Sequence, residues 1–149
     1  MKVSGAAHTS YTVSDLARSK RFYCGLLGCE VVWEREVVES YFRAIVGLPD
    51  CVVKAAQLRI PGSDHVLELF EYAHPRAAPA VPPVNRPGSS HIAFLVDDIH
   101  AACEELGARG VVVRSAPVEV DYGANKGAWG VYIEDPDGIP MELFQPPPG

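Results

Sequence analysis

One phrase occurs twice in this chain, and it limits the folds available more than any other feature. The later copy runs Glu134-Asp135-Pro136-Asp137-Gly138-Ile139-Pro140-Met141-Glu142-Leu143-Phe144, and the earlier runs Pro61-Gly62-Ser63-Asp64-His65-Val66-Leu67-Glu68-Leu69-Phe70. Laid together without a gap, Glu68 falls on Glu142, and Leu-Phe follows each. The front of the phrase predicts a tight turn. Pro136 presets one backbone angle, the aspartates can bond nearby amides, and Gly138 tolerates positive φ. The back predicts a strand on which Glu142 shares a face with Pro140 and Phe144. A carboxylate among apolar neighbours is costly unless something compensates it.

The repeat extends beyond this phrase. The segment from Ala7 to Val13 alternates as a strand, with His8, Ser10 and Thr12 on one face. Ser14 or Asp15 then caps a helix with the apolar stripe Leu16, Tyr23, Leu26 and Leu27, which Gly28 ends. Cys29 to Arg35 predicts a second strand, and Cys51 to Ile60 with Asp64 to Tyr72 a hairpin. Between them, 37–50 reads as a loop with a short helix able to cover a site. The proline-dense stretch 74–89 excludes helix interior and central strand and predicts a semi-extended linker. The pattern then restarts. Ser90 to Val96 is a strand opening with His91, and Asp97 or Asp98 caps a helix carrying Ile99, Ala102, Cys103 and Leu106, ended by Gly107. Val111 to Ala116, Ala128 to Glu134 and Ile139 to Gln145 read as strands. Overlaying the openings places His8 on His91, Val13 on Val96, Asp15 on Asp98 and Leu16 on Ile99. The expectation is an α+β fold of two βαβββ modules, 1–73 and 90–149, within a single domain spanning 1–149.

Composition removes several function classes. With 48% hydrophobic and 21% charged residues, the chain has material for a sizeable core and is not a disordered type. A formal charge of −6 argues against nucleic acid, which requires a basic face. No apolar run is long enough to span a bilayer, and the first residues lack a signal peptide's apolar stretch, so the expected compartment is the cytoplasm. Cys24, Cys29, Cys51 and Cys103 form no CxxC pair and read as small buried or half-buried residues.

Each repeat thus supplies one histidine at the start of its first strand and one glutamate on its last. If the modules pack about a pseudo-twofold axis, His8, Glu68, His91 and Glu142 converge. Two neutral imidazoles and two carboxylates balance a divalent cation and leave positions for water or substrate. His65 is three residues from Glu68 and faces the other way on a regular strand, His74 falls in the linker, and His100 falls in the second helix's first turn. None of these three is assigned to the metal.

His8 with Ser14-Asp15-Leu16 and Phe22-Tyr23, then His65-Val66-Leu67-Glu68-Leu69, His91-Ile92-Ala93-Phe94 and the phrase around Glu142, resemble the vicinal oxygen chelate superfamily. That superfamily holds glyoxalase I, methylmalonyl-CoA epimerase, extradiol dioxygenases, fosfomycin-resistance enzymes and metal-free drug-binding proteins. The resemblance implies paired modules forming a cupped mixed sheet around one divalent ion (zinc, nickel, manganese, cobalt or iron), a small-molecule substrate and, as in many relatives, a homodimer. It implies proton transfer beside a metal-chelated carbonyl or carboxylate, with Glu68 and Glu142 as catalytic carboxylates. Two alternatives stand beside this: an extradiol-type dioxygenase using His8, His91 and Glu142, and a non-catalytic ligand-binding module. Tyr132 resembles a tyrosine lining the dioxygenase site, which makes it a third catalytic candidate, and simple packing in a strand also accounts for it. The Glu-Gln-Gly-Val stretch typical of methylmalonyl-CoA epimerases has no counterpart here.

Overall fold

The computed structural model describes residues 2–78, 80 and 83–149. The chain divides into two compact units, 1–79 and 80–149. The first contains β1 (His8–Thr12), α1 (Leu16–Tyr23), β2 (Glu30–Val37), α2 (Ser40–Val46), β3 (Val52–Arg59) and β4 (Val66–His74). The second contains β5 (Ala93–Leu95), α3 (Ile99–Ala108), β6 (Val118–Glu119), β7 (Trp129–Glu134) and β8 (Pro140–Gln145). Each unit is a βαβββ module with one four-stranded mixed sheet, ordered β1-β4-β3-β2 and β5-β8-β7-β6. The first strand of each runs parallel to the last, and the other pairings are antiparallel. Among the described residues no helix is long and apolar enough to cross a membrane.

The turns form where backbone chemistry allows them. Gly62 and Gly138 adopt φ of 69° and 82°, a region that costs a side-chain-bearing residue steric energy. The Asp135 carboxylate accepts from the amides of Asp137 and Ile139, both at 2.8 Å, closing the β7–β8 turn from inside. Asp15 and Asp98 cap their helices in the same way, accepting from Arg18 N at 2.8 Å and Ala101 N at 2.9 Å.

Strand alternation divides each sheet into two faces. Leu67 and Leu69 of β4, with Ala56 and Leu58 of β3, are fully buried on the face that also carries Glu71. Met141 and Leu143 of β8, with Ile133 of β7, are their counterparts in the second unit. The last polar residue on this face of β4 and of β8 meets a helix. Glu71 Oε2 accepts from Leu16 N, the first amide of α1, at 2.9 Å, and Gln145 Oε1 accepts from Ile99 N, the first amide of α3, at 2.8 Å. Both helix starts are therefore bonded to the middle of a sheet, and one orphan helix donor in each is satisfied. The opposite face of the first sheet holds a second apolar group. Val53 and Ala55 pack there with Phe42 and Val46 of α2 and with Phe70 and Tyr72 of β4.

Several expected bounds change. The strand expected over Val111 to Ala116 is absent: only the Val113–Ile133 bridge forms there, and the edge strand is β6. The chain bends at Ser115 and Ala116, and Pro117 has no amide to give to a ladder. The strand expected over Ser90 to Val96 shrinks to Ala93–Leu95, so His91 precedes β5 instead of opening it. Gly107 lies inside α3, and the left-handed residue that lets the chain leave is Gly110, φ 81°. Leu26 and Leu27 lie in the turn after α1, and both are half-buried. His74 belongs to β4, where it pairs with Val52, and not to the linker; the peptide to Pro75 is cis. Within 37–50 the expected short helix is α2. Pro79, Val81 and Pro82 of the expected linker lie outside the described residues.

Glu71 is a buried carboxylate whose contacts must compensate its charge. It is 5% exposed, and its Oε1 also accepts from Lys54 Nζ at 3.0 Å and Arg76 Nη2 at 3.2 Å. Burial opposes its ionisation, but the Leu16 amide and the two cations outweigh that and hold the carboxyl below its ordinary value. A depressed carboxyl adds stability above its unfolded pKa of about 4.3, and that stability disappears as pH falls through the folded value. Glu71→Gln should therefore lower stability at pH 7 by about 1–3 kcal/mol, read as a urea midpoint shift. The gap from wild type should close below about pH 4. An equal gap at pH 7 and pH 3 would show that charge plays no part.

Candidate metal centre

In the first unit β1 and β4 run parallel with Ser10 opposite Glu68, and β3 places Gln57 opposite Glu68 on its other side. Alternation brings His8, two residues before Ser10, onto this face. His8 Nε2 lies 3.4 Å from Glu68 Oε2, and Gln57 Nε2 donates to Glu68 Oε1 at 3.1 Å. The Glu68 side chain is only 13% exposed, and neither neighbour is a permanent cation. Phe70, next along this face, stacks edge-on against Phe42 of α2 at 5.7 Å, so α2 builds an apolar wall beyond the carboxylate.

The second unit repeats the pairing. Ala93 and Tyr132 flank Glu142 across β5 and β7. The Glu142 amide donates to Ile92 O at 2.9 Å, which brings the neighbouring His91 beside it although His91 is outside the strand. His91 Nε2 lies 3.1 Å from Glu142 Oε2. The Tyr132 ring sits 4.9 Å from the His91 ring at 58°. Its hydroxyl is 3.4 and 3.5 Å from the two ring nitrogens, long for a hydrogen bond, so the contact is chiefly ring against ring. The register puts Tyr132 on the face of Glu142, which the sequence had left open.

These pairs fit a divalent cation on geometric grounds. Ligands at about 2.1 Å from one ion stand about 3.0 Å apart at right angles and about 3.4 Å apart at tetrahedral angles. The pairs at 3.4 Å and 3.1 Å fall in that range, with one imidazole nitrogen facing one carboxylate oxygen in each. Among the described residues no third histidine, cysteine, aspartate or glutamate joins either pair within its own unit. The excluded histidines are engaged elsewhere: His65 Nε2 bonds Thr9 Oγ1 at 2.9 Å, and the His100 ring stands against Trp129 at 4.9 Å.

Two neighbours of the carboxylates escaped the sequence reading. Gln57 and Gly130 are visible only once the hairpins are centred on their turns, which sets each residue's cross-strand partner. Gly130 has no left-handed backbone to explain it. A Cβ there would stand 3.2 Å from Glu142 Oε1, so the absent side chain leaves room for that carboxylate. If Glu142 ligates a metal, Gly130→Ala should weaken zinc binding several-fold while changing thermal stability little, because the roughly 0.5–1 kcal/mol that a strand glycine costs is set against the tight contact of the new Cβ with Glu142 Oε1. Titration of both proteins with zinc checks this, and unchanged affinity would mean the space serves nothing at Glu142.

Comparison with known proteins bears on the family and the fold. A 2-epi-5-epi-valiolone epimerase from an Actinomyces species is 32% identical over 146 residues, covering 95% of this chain and 79% of that protein. A lactoylglutathione lyase from Pseudomonas putida is 32% identical over 162 residues, covering 95% of this chain and 84% of that protein. The crystal structure of a glyoxalase family protein from Bacillus cereus shares the fold, with a TM-score of 0.85 at 23% identity over 99% of this chain and 97% of that one. The family model of the Glyoxalase/Bleomycin resistance protein/Dioxygenase superfamily matches residues 5–143, and with its two βαβββ modules the chain belongs to that superfamily.

Proposed function

We propose that the two histidine–glutamate pairs together hold one divalent ion, and that the protein is a glyoxalase-like enzyme. It moves a proton beside a carbonyl or carboxylate of a small molecule. The observation that carries this reading is the second pair: Glu68 stands against His8 as Glu142 stands against His91. His8, Glu68, His91 and Glu142 would be the protein ligands. A divalent cation supplies Lewis-acid stabilisation of negative charge on substrate oxygens. The donor set admits zinc, nickel, manganese, cobalt or iron.

The remaining steps belong to the chain. A carboxylate oxygen of Glu68 or Glu142 takes the proton from the carbon next to the substrate carbonyl and returns it. His8 and His91 serve as neutral ligands. Tyr132, against the His91 ring, restricts that ring's orientation and lines the substrate's side. The apolar wall of Phe42 and Phe70 beside Glu68 suits the non-chelating part of a substrate and limits water there. The epimerase and the lyase among the relatives support this class of reaction.

A second reading has its own observation. Tyr132 beside His91 is the placement expected if His8, His91 and Glu142 alone served an extradiol-type dioxygenase. The two chemistries separate cleanly. With a panel of small 2-oxo acids, aldehyde adducts and thioesters, metal-loaded protein in deuterated buffer should exchange a substrate C–H equally well without oxygen. Glu68→Gln should slow that exchange by about 10²-fold or more, a loss far larger than its effect on substrate binding. Oxygen-consuming cleavage of a catechol, indifferent to Glu68→Gln, would overturn proton transfer in favour of the dioxygenase.

A further inference from the structure

The repeat places two carboxylates identically, yet the units hold them differently. Across the first sheet the row is Ser10, Glu68, Gln57; across the second it is Ala93, Glu142, Tyr132. Glu68 has one oxygen bonded to the Gln57 carboxamide at 3.1 Å, and its other oxygen faces His8. Glu142 turns one oxygen toward His91, and its other borders the space left by Gly130. The asymmetry lies in the cross-strand neighbour.

We propose that Gln57 is a positioning residue that fixes Glu68 for ligation of the metal through a single oxygen, Oε2. This rests on Glu68 being a metal ligand. A glutamate side chain has several rotatable bonds, and ordering it at the moment of binding costs affinity. The Gln57 hydrogen bond orders it during folding and occupies Oε1, so that Oε2 is the oxygen presented on the His8 side. A carboxamide suits this task because it donates without adding positive charge. A lysine at the same place would also hold Oε1, but it would cancel the anion and repel the incoming cation.

Zinc titrations of wild type, Gln57→Met, Gln57→Lys, Glu68→Ala and the double variant Gln57→Met/Glu68→Ala, each paired with an apo melting curve, test the proposal. Gln57→Met keeps the side-chain length and removes the donor. It should weaken zinc binding about 10- to 100-fold with little change in apo melting. Gln57→Lys should weaken binding further although it can still pair with Glu68. The double variant should bind no more weakly than Glu68→Ala alone, since Gln57 acts only through Glu68. If Gln57→Met or, should that variant not fold, Gln57→Lys binds like wild type while Glu68→Ala does not, the positioning role is overturned and the metal reading stands. A further loss from Gln57→Met in the Glu68→Ala background would show a merely structural role and would also overturn it. If Glu68→Ala itself binds like wild type, the assignment of Glu68 as a ligand falls first.

Discussion

The two-residue period of β4 and β8 is the constraint on which the rest of each module depends. Each of these strands lies between a parallel neighbour and an antiparallel one, so both of its edges are paired. Its alternate residues must therefore serve two faces at once. Leu67, Leu69 and Glu71, or Met141, Leu143 and Gln145, go toward the helix; Glu68 and Phe70, or Glu142 and Phe144, go the other way. A slip of one residue would bury Glu68 in the helix-side core and turn Leu67 and Leu69 onto the face that now holds the carboxylate. The register is thus set by the large cost of burying an uncompensated charge.

The duplicated modules show how chemistry diverges on a constant frame. The capping aspartates Asp15 and Asp98 do the same work, and the amides of Val13 and Val96 both bond the carbonyl of the last phenylalanine, Phe70 or Phe144. At the next contact the two modules share, the residues already differ. Glu71 is held ionised while buried by the Leu16 amide with Lys54 and Arg76, whereas Gln145 accepts from the helix without charge. On the opposite face the same divergence appears as Gln57 against Tyr132. Identical backbone bonds therefore frame side chains with different electrostatic demands, as expected if the ladder carries the fold and the cross-strand neighbours adjust the site.

Much of this could be read from the residues. The aspartate caps, the turns at Gly62 and Gly138, the two helices and the matching of His8 to His91 and Glu68 to Glu142 all follow from short-range rules. These are cap chemistry, left-handed glycine and the periods of strand and helix, and each acts within a few residues. They also give the paired-module fold, because a repeated local pattern repeats a local structure. Where the reading missed, the deciding interaction was not local. The helical glycine was mistaken for the terminal one because Gly107 and Gly110 look alike until the helix amides are counted. The strand at Val111 to Ala116 looked sound from its valines, but only a pairing partner makes a strand, and Pro117 with the bend before it moves that partnership to Val118 and Glu119.

For the two histidine–glutamate pairs, the sequence by itself determined which side chains are available: an imidazole and a carboxylate in matched places of each module. Tertiary structure decided what stands beside them. That Tyr132 touches His91, that Gln57 holds Glu68, that Gly130 leaves room at Glu142 and that α2 walls off Phe70 all depend on hairpin register and on a helix folding back over a sheet. The physical reason is the range of the forces. Capping and turn preferences are settled by neighbours in the chain, whereas cross-strand contacts exist only after the loop-closure entropy has been overcome and the two faces of the sheet have been chosen.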